Sequence, residues 1–211
     1  MSSSGEYRIP SRSSEVESRV KGSRFIAICR PATDSREASA VRDVERRRFH
    51  DATHHVYASR LRSGEERFDD DGEPSGTAGR PVLASIHRAG LVDVVVVVTR
   101  YYGGTKLGTG GLGRAYAAAA KCALGAAGSR SVATARKVIV SFEYADTGIV
   151  TRCAEAAGAV RLADQYGERA GLELAIRADQ VDRLREEVTE LTGGRGHVRE
   201  LDGEMWLPLD T

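Results

Sequence analysis

Cysteine is scarce in these 211 residues: Cys29, Cys122 and Cys153, an odd number with no Cys-x-x-Cys pair. That count argues against a disulfide framework or a structural zinc site and suits a reducing, cytoplasmic compartment. Long apolar runs are missing too. None approaches the roughly 20 residues that cross a bilayer, and Met1 to Ser14 is Ser-rich and polar, without the apolar centre of a signal peptide. A membrane partner is not expected. Net charge is nearly absent at +1, so bulk non-specific attraction to nucleic acid is not expected either. No motif for sequence-specific DNA reading is present. The most informative absence is local. From Val94 through Phe142 there is no Asp or Glu, while Arg100, Lys106, Arg114, Lys121, Arg130, Arg136 and Lys137 occupy the same span.

Charge is unevenly shared. Residues 1–136 carry 22 Lys and Arg against 15 Asp and Glu, and residues 137–211 carry 9 against 15. A basic front and an acidic back suit two domains with different surfaces.

Residues 1–14 read as a flexible arm, 15–130 as one domain and 131–211 as a second. In the first, Arg24 to Cys29 alternates as a strand. Asp34 and Glu37 open a helix whose Ala38, Val41 and Val44 share a face. His54 to Leu61 and a return to Phe68 read as a hairpin. Pro81 and Gly90 bracket a helix with Val82, Leu83 and Ile86 inward. Val92 to Thr99 is nearly all valine and fits a strand buried on both faces. Leu112 to Leu124 is an alanine-rich helix, with Cys122 expected in its core. Residues 125–136 are small and polar and read as a linker. Beyond them the pattern is strand, helix from Asp146 as N-cap, two strands, helix from Asp179 as N-cap, strand. This βαββαβ order is ferredoxin-like, and the fold class is α+β.

The chemistry is expected between Asp69 and Tyr116. Six of the eleven residues from Gly103 to Gly113 are glycine. Gly103, Gly104, Gly108, Gly110, Gly111 and Gly113 would bare the backbone to a ligand, with Thr105 and Thr109 between them. The loop joins a buried strand to a helix start, where unpaired N–H groups favour anions. Arg100, Lys106 and Arg114 add full charges, so phosphate, free or in a nucleotide or RNA, is the expected guest. The competing reading gives the glycines to tight turns and close packing. Gly108 to Gly113 matches G-x-G-x-x-G, but no acid follows before Glu143, which disfavours a dinucleotide site. The P-loop pattern is absent. Ahead of the loop, Asp70, Asp71 and Glu73, with Ser75 or Thr77, could hold Mg²⁺ beside a phosphate. The alternative, favoured for the aspartates, is a solvated hairpin end whose carboxylates cap the following turn and helix. His50, His54 and His55 lack a third partner and the His-Glu-x-x-His pattern, and no resident cofactor is expected.

At these residues a resemblance becomes specific. Asp-Asp-Gly-Glu-Pro-Ser-Gly-Thr-Ala-Gly-Arg-Pro (70–81) and the run from Val96 to Tyr116 resemble the signature of the IMPACT/YigZ family. Lys-Gly-Ser-Arg-Phe-Ile-Ala (21–27), with Lys21 and Arg24, and Asp-Ala-Thr-His (51–54), ending at His54, resemble its two earlier motifs. Tyr102 departs from the Phe often found there. The resemblance implies an N-terminal domain like the second domain of ribosomal protein S5, and a C-terminal ferredoxin-like domain similar to the last domain of elongation factor G. Eukaryotic members regulate translation initiation and carry an extension that is missing from these residues, so that role is not carried over. The expectation is a non-catalytic module for RNA or translation-associated partners. The alternative is a phosphate- or nucleotide-handling enzyme using loop 103–113 and a Mg²⁺ ion.

Overall fold

The computed structural model describes residues 5–209. In chain order the elements are β1 (Glu6–Pro10), β2 (Ser14–Val20), β3 (Ser23–Pro31), α1 (Ser35–Arg48), β4 (His54–Arg60), β5 (Glu66–Asp69), α2 (Gly79–Ala89), β6 (Val94–Tyr101), α3 (Thr109–Ala127), β7 (Ser129–Phe142), α4 (Thr147–Ala156), β8 (Val160–Gln165), β9 (Ala170–Arg177), α5 (Val181–Leu191) and β10 (His197–Pro208). Two compact units result: Tyr7–Arg130, and the chain from Ser131 onward with the residues up to Glu6.

The Tyr7–Arg130 unit is an antiparallel sheet of order β2-β3-β6-β4-β5. β6 lies at its centre, and its valines obey the period of two that a pleated strand imposes. Val94, Val96 and Val98 pack with α2 and α3, and Val95 and Val97 with α1, all at zero exposure. Each such side chain contributes about 1.5–3 kcal/mol on leaving water, so this strand anchors both faces. α3 can press closely on the sheet because Ala115, Ala119, Ala120, Ala123 and Ala127 form its buried stripe. α2 ends where Gly90 turns left-handed at φ 65°, a conformation that costs glycine little.

The second unit is the predicted βαββαβ arrangement, with strand order β8-β9-β7-β10 and all pairs antiparallel. Val138, Val140, Phe142, Leu172, Leu174 and Ile176 pack on one face with Val150 of α4 and Leu184 and Val188 of α5.

Several expectations are corrected. Residues 1–4 of the predicted arm lie outside the described residues, but the remainder of it holds β1 and the start of β2. The stretch 125–136 is no linker: α3 runs to Ala127, Gly128 turns at φ 64°, and β7 begins at Ser129. Of its residues, Ala127, Val132, Ala133 and Ala135 are buried. Val44 is 46% exposed, and Glu45 takes the inward place on α1 at 1%. Asp146 does stand at the N-cap of α4, but its side chain caps nothing and takes two hydrogen bonds from Arg195; Asp179 lies in the turn before α5, whose N-cap is Gln180, and takes two from Arg177. Cys122 is exposed, whereas Cys29 and Cys153 are buried.

Candidate functional site

The acidic turn begins where β5 stops. Asp71 at φ 44° and Gly72 at φ 85° reverse the chain. The Asp70 carboxylate then accepts the N–H groups of Gly76, Ala78 and Gly79 at 2.7, 2.9 and 2.8 Å. The residue at the N-cap of α2, Ala78, has no capping side chain. Asp70 supplies the missing acceptor from eight residues away, and its charge suits the positive end of the helix. Burial opposes the charge on Asp70, but the N–H groups of Gly76, Gly79 and Ala78 outweigh it and hold the carboxyl below its usual value. The capping reading of this aspartate therefore holds.

Asp71 accepts the backbone N–H of His55 at 2.6 Å and pairs with Arg46. Thr77 donates its hydroxyl to the Pro74 carbonyl at 2.6 Å, and Ser75 is exposed. Both oxygens of Asp70 and both of Asp71 thus accept from protein donors. That is a fold-stabilising turn and a poor cation cage. Among the described residues no group of three or more His, Cys, Asp or Glu could hold a metal ion.

Glu73 is the centre of a buried polar cluster. Its Oε1 accepts from Arg100 Nη1 at 2.6 Å and from Tyr116 Oη at 2.7 Å. Arg100 Nη2 donates to Ser23 Oγ at 3.2 Å, and the same oxygen receives the Gly103 N–H at 3.2 Å. The guanidinium stands 5.6 Å from the Phe25 ring centre and 5.5 Å from that of Tyr102. Tyr116 meets Phe25 edge to face, at 5.2 Å between ring centres. Burial, and then the charge of Glu73, push the Tyr116 phenol well above its usual value, so it stays a donor. His54 Nδ1 lies 2.7 Å from the Asp71 carbonyl. A carbonyl only accepts, so Nδ1 is the donor in this contact, and Nε2 faces Glu73 Oε1 at 3.8 Å. Arg100, expected to meet an anion, is instead neutralised inside the fold at 4% exposure.

The glycine loop divides into two kinds of position. A Cβ on Gly103 would lie 1.9 Å from the Gly22 carbonyl carbon, an approach only glycine permits. One on Gly111 would press on Leu107 at 3.3 Å, and one on Gly113 would touch Pro81 at 3.6 Å. Gly103 thus serves close packing, as the competing reading held, whereas a methyl group at Gly111 would need only a small shift and one at Gly113 none. Gly104 and Gly108 face open space at φ 81° and 71°. Gly108 is the N-cap of α3 and offers no side-chain acceptor. Thr105, Lys106, Thr109, Gly110 and Arg114 are exposed around this helix start. Lys106 and Arg114 form no ion pair among the described residues. Lys21, in the β2–β3 turn at φ 46°, is exposed as well, and that turn abuts the loop through Gly22 and Gly103. Arg24 is paired with Glu17 at 2.8 Å.

Sequence reasoning missed Tyr116 and Ser23 as members of the buried cluster. The available signal was the tyrosine itself: the one aromatic side chain on an alanine-rich helix, where a buried hydroxyl needs a partner.

Two family models match the chain: the Impact N-terminal domain over residues 21–124, and a domain of unknown function (DUF1949) over residues 140–195. An IMPACT family member of Haemophilus influenzae is 31% identical over 197 residues, spanning 90% of this chain and 94% of that protein. The IMPACT family member YvyE of Bacillus subtilis is 31% identical over 194 residues, spanning 90% and 88%. A solved structure described as a hypothetical protein superposes with a TM-score of 0.67 at 27% identity, covering 94% of this chain and 98% of its own.

Proposed function

The chain belongs to the IMPACT family, and from that premise we propose a non-catalytic module that docks on RNA phosphates through the start of α3. One observation carries the reading. Lys106 and Arg114 stand exposed and unpaired beside the uncapped N-terminus of a 19-residue helix, in a span without carboxylates. The N–H groups that follow Gly108 can reach a phosphate oxygen, and the helix dipole adds to the attraction. Lys21 extends the same basic surface. Sequence-tolerant backbone contacts of this kind position a protein on RNA without reading bases. Translation-associated RNA is the target class suggested by fold analogy, and a part in translation regulation follows from that analogy alone.

The enzyme alternative draws less support. It needs free carboxylates for Mg²⁺, and Asp70, Asp71 and Glu73 are all engaged by protein donors. No helix among the described residues is long and apolar enough to cross a membrane.

The test is fluorescence anisotropy with a structured RNA over a salt series. Binding should weaken steeply with salt, and Lys106→Ala and Arg114→Ala should each lower the slope of log affinity against log salt by about one. Absence of any association at low salt would refute the reading.

A further inference from the structure

A cavity of about 480 Å³ opens at the opposite end of α2 and α3, with all of its walls in the Tyr7–Arg130 unit. Leu91, Leu124 and Ala89 give it an apolar floor, and Arg8, Arg88 and Lys121 stand around it. Its lining contains no carboxylate. The volume lies within the range of about 300–1,000 Å³ common for small-molecule sites.

The cations are held but not neutralised. Arg8 donates to the Ala89 carbonyl at 3.2 Å and to Ser129 Oγ at 2.6 Å. Arg88 donates to Ser85 Oγ at 3.0 Å, and that buried hydroxyl donates in turn to the Pro81 carbonyl at 2.9 Å. Every one of these partners is neutral, so both guanidiniums are oriented while keeping their full charge. Lys121 has no ion pair among the described residues.

Dipole compensation is the competing explanation, because α2 and α3 both end here. Its magnitude is insufficient. Two helix C-termini supply at most about half a negative charge each, against three full positive charges. Roughly two charges remain uncompensated beside an apolar floor.

We propose that this cavity binds a small phosphomonoester, with the dianionic head among Arg8, Arg88 and Lys121 and a compact apolar body on Leu91 and Leu124. Guanidinium groups already oriented by neutral acceptors lose little freedom on binding, and they suit the geometry of phosphate oxygens. The site shares none of its lining residues with the loop from Gly103 to Arg114.

Phenyl phosphate is a suitable probe, titrated into the nitrogen-labelled full chain and followed by amide NMR. Inorganic phosphate, which has only the head, and phenol, which has only the body, serve as comparisons. Saturable shifts are expected at the amides of residues 85–91 and 121–129. Affinity should fall about tenfold in Lys121→Ala and in Arg88→Ala. Both side chains are exposed, so unchanged spectra elsewhere will confirm that the variants fold. Inorganic phosphate should bind at least about tenfold more weakly than phenyl phosphate. The proposal is overturned by no saturable shift, by shifts centred on residues 104–114, by affinity unchanged in both variants, or by equal binding of inorganic phosphate. Lys106→Ala should leave phenyl phosphate binding unchanged, so this site and the RNA surface stand or fall separately.

Discussion

Arg100 Nη1 lies 2.6 Å from Glu73 Oε1, with the two side chains 5% and 4% exposed. An ion pair so far from water is held together by the cost of separating it. Glu73→Ala would leave a buried guanidinium without its counter-charge and should destabilise the chain by about 3–5 kcal/mol. Tyr116→Phe removes one hydrogen bond to the same carboxylate and should cost less, about 1.5–3 kcal/mol. Urea unfolding of both variants checks the order. A loss below about 1 kcal/mol for Glu73→Ala would show that Arg100 finds another acceptor.

Asp70 makes α2 sensitive to acid. Its folded carboxyl value is lowered, so its contribution is complete above the unfolded value and is lost as pH falls through the folded one. Asp70→Asn should cost about 1–2 kcal/mol near neutral pH, the range of a lost helix cap. The gap between wild type and variant should close as pH drops from the ordinary aspartate value of 3.8 downward. Denaturation midpoints over that pH range measure it.

The two kinds of loop glycine should respond differently to one methyl group. Gly104→Ala meets open space and carries only the strain of φ 81°, roughly 1–2 kcal/mol. Gly103→Ala drives a carbon into the Gly22 backbone and should cost more, because two chain segments must separate. Equal losses would mean that the contact between Gly22 and Gly103 is easily released.

Lys106 and Arg114 are predicted to matter for binding and not for folding. Lys106→Ala and Arg114→Ala should shift unfolding free energy by no more than about 0.5 kcal/mol, while weakening RNA association at low salt. A large stability loss from either would move these residues from the binding surface to the fold.

One thiol should react quickly in the native protein. Cys122 is exposed. Burial pushes the Cys29 thiol up to about 12, and burial also raises that of Cys153. A thiolate-specific reagent should therefore modify Cys122 at once and the other two only on unfolding. Loss of the fast phase in Cys122→Ser confirms the assignment.

Much of the fold is legible without coordinates. The valine run at the centre of the first sheet and the βαββαβ pattern of the second unit are local signals of hydrophobic period. The missing carboxylates between Val94 and Phe142, and the glycines before α3, mark the exposed helix start, because each is a property of neighbouring residues. Cys122 and Val44 depart from expectation for the converse reason: a helix's inward stripe depends on which neighbours it meets, and at Cys122 an alanine-rich helix leaves that stripe ambiguous.

The fate of Arg100 separates the two levels. It has the same parity as Val94, Val96 and Val98, so the strand period alone directs it to the face covered by α2 and α3. Its partner does not follow from that period. Glu73 arrives from 27 residues earlier in the chain and Tyr116 from 16 residues later, and nothing local requires the three to meet. Only the packing of the acidic turn and α3 against β6 decides it. By bringing a carboxylate to a buried guanidinium, that packing makes Arg100 part of the frame and leaves Lys106 and Arg114 exposed at the start of α3.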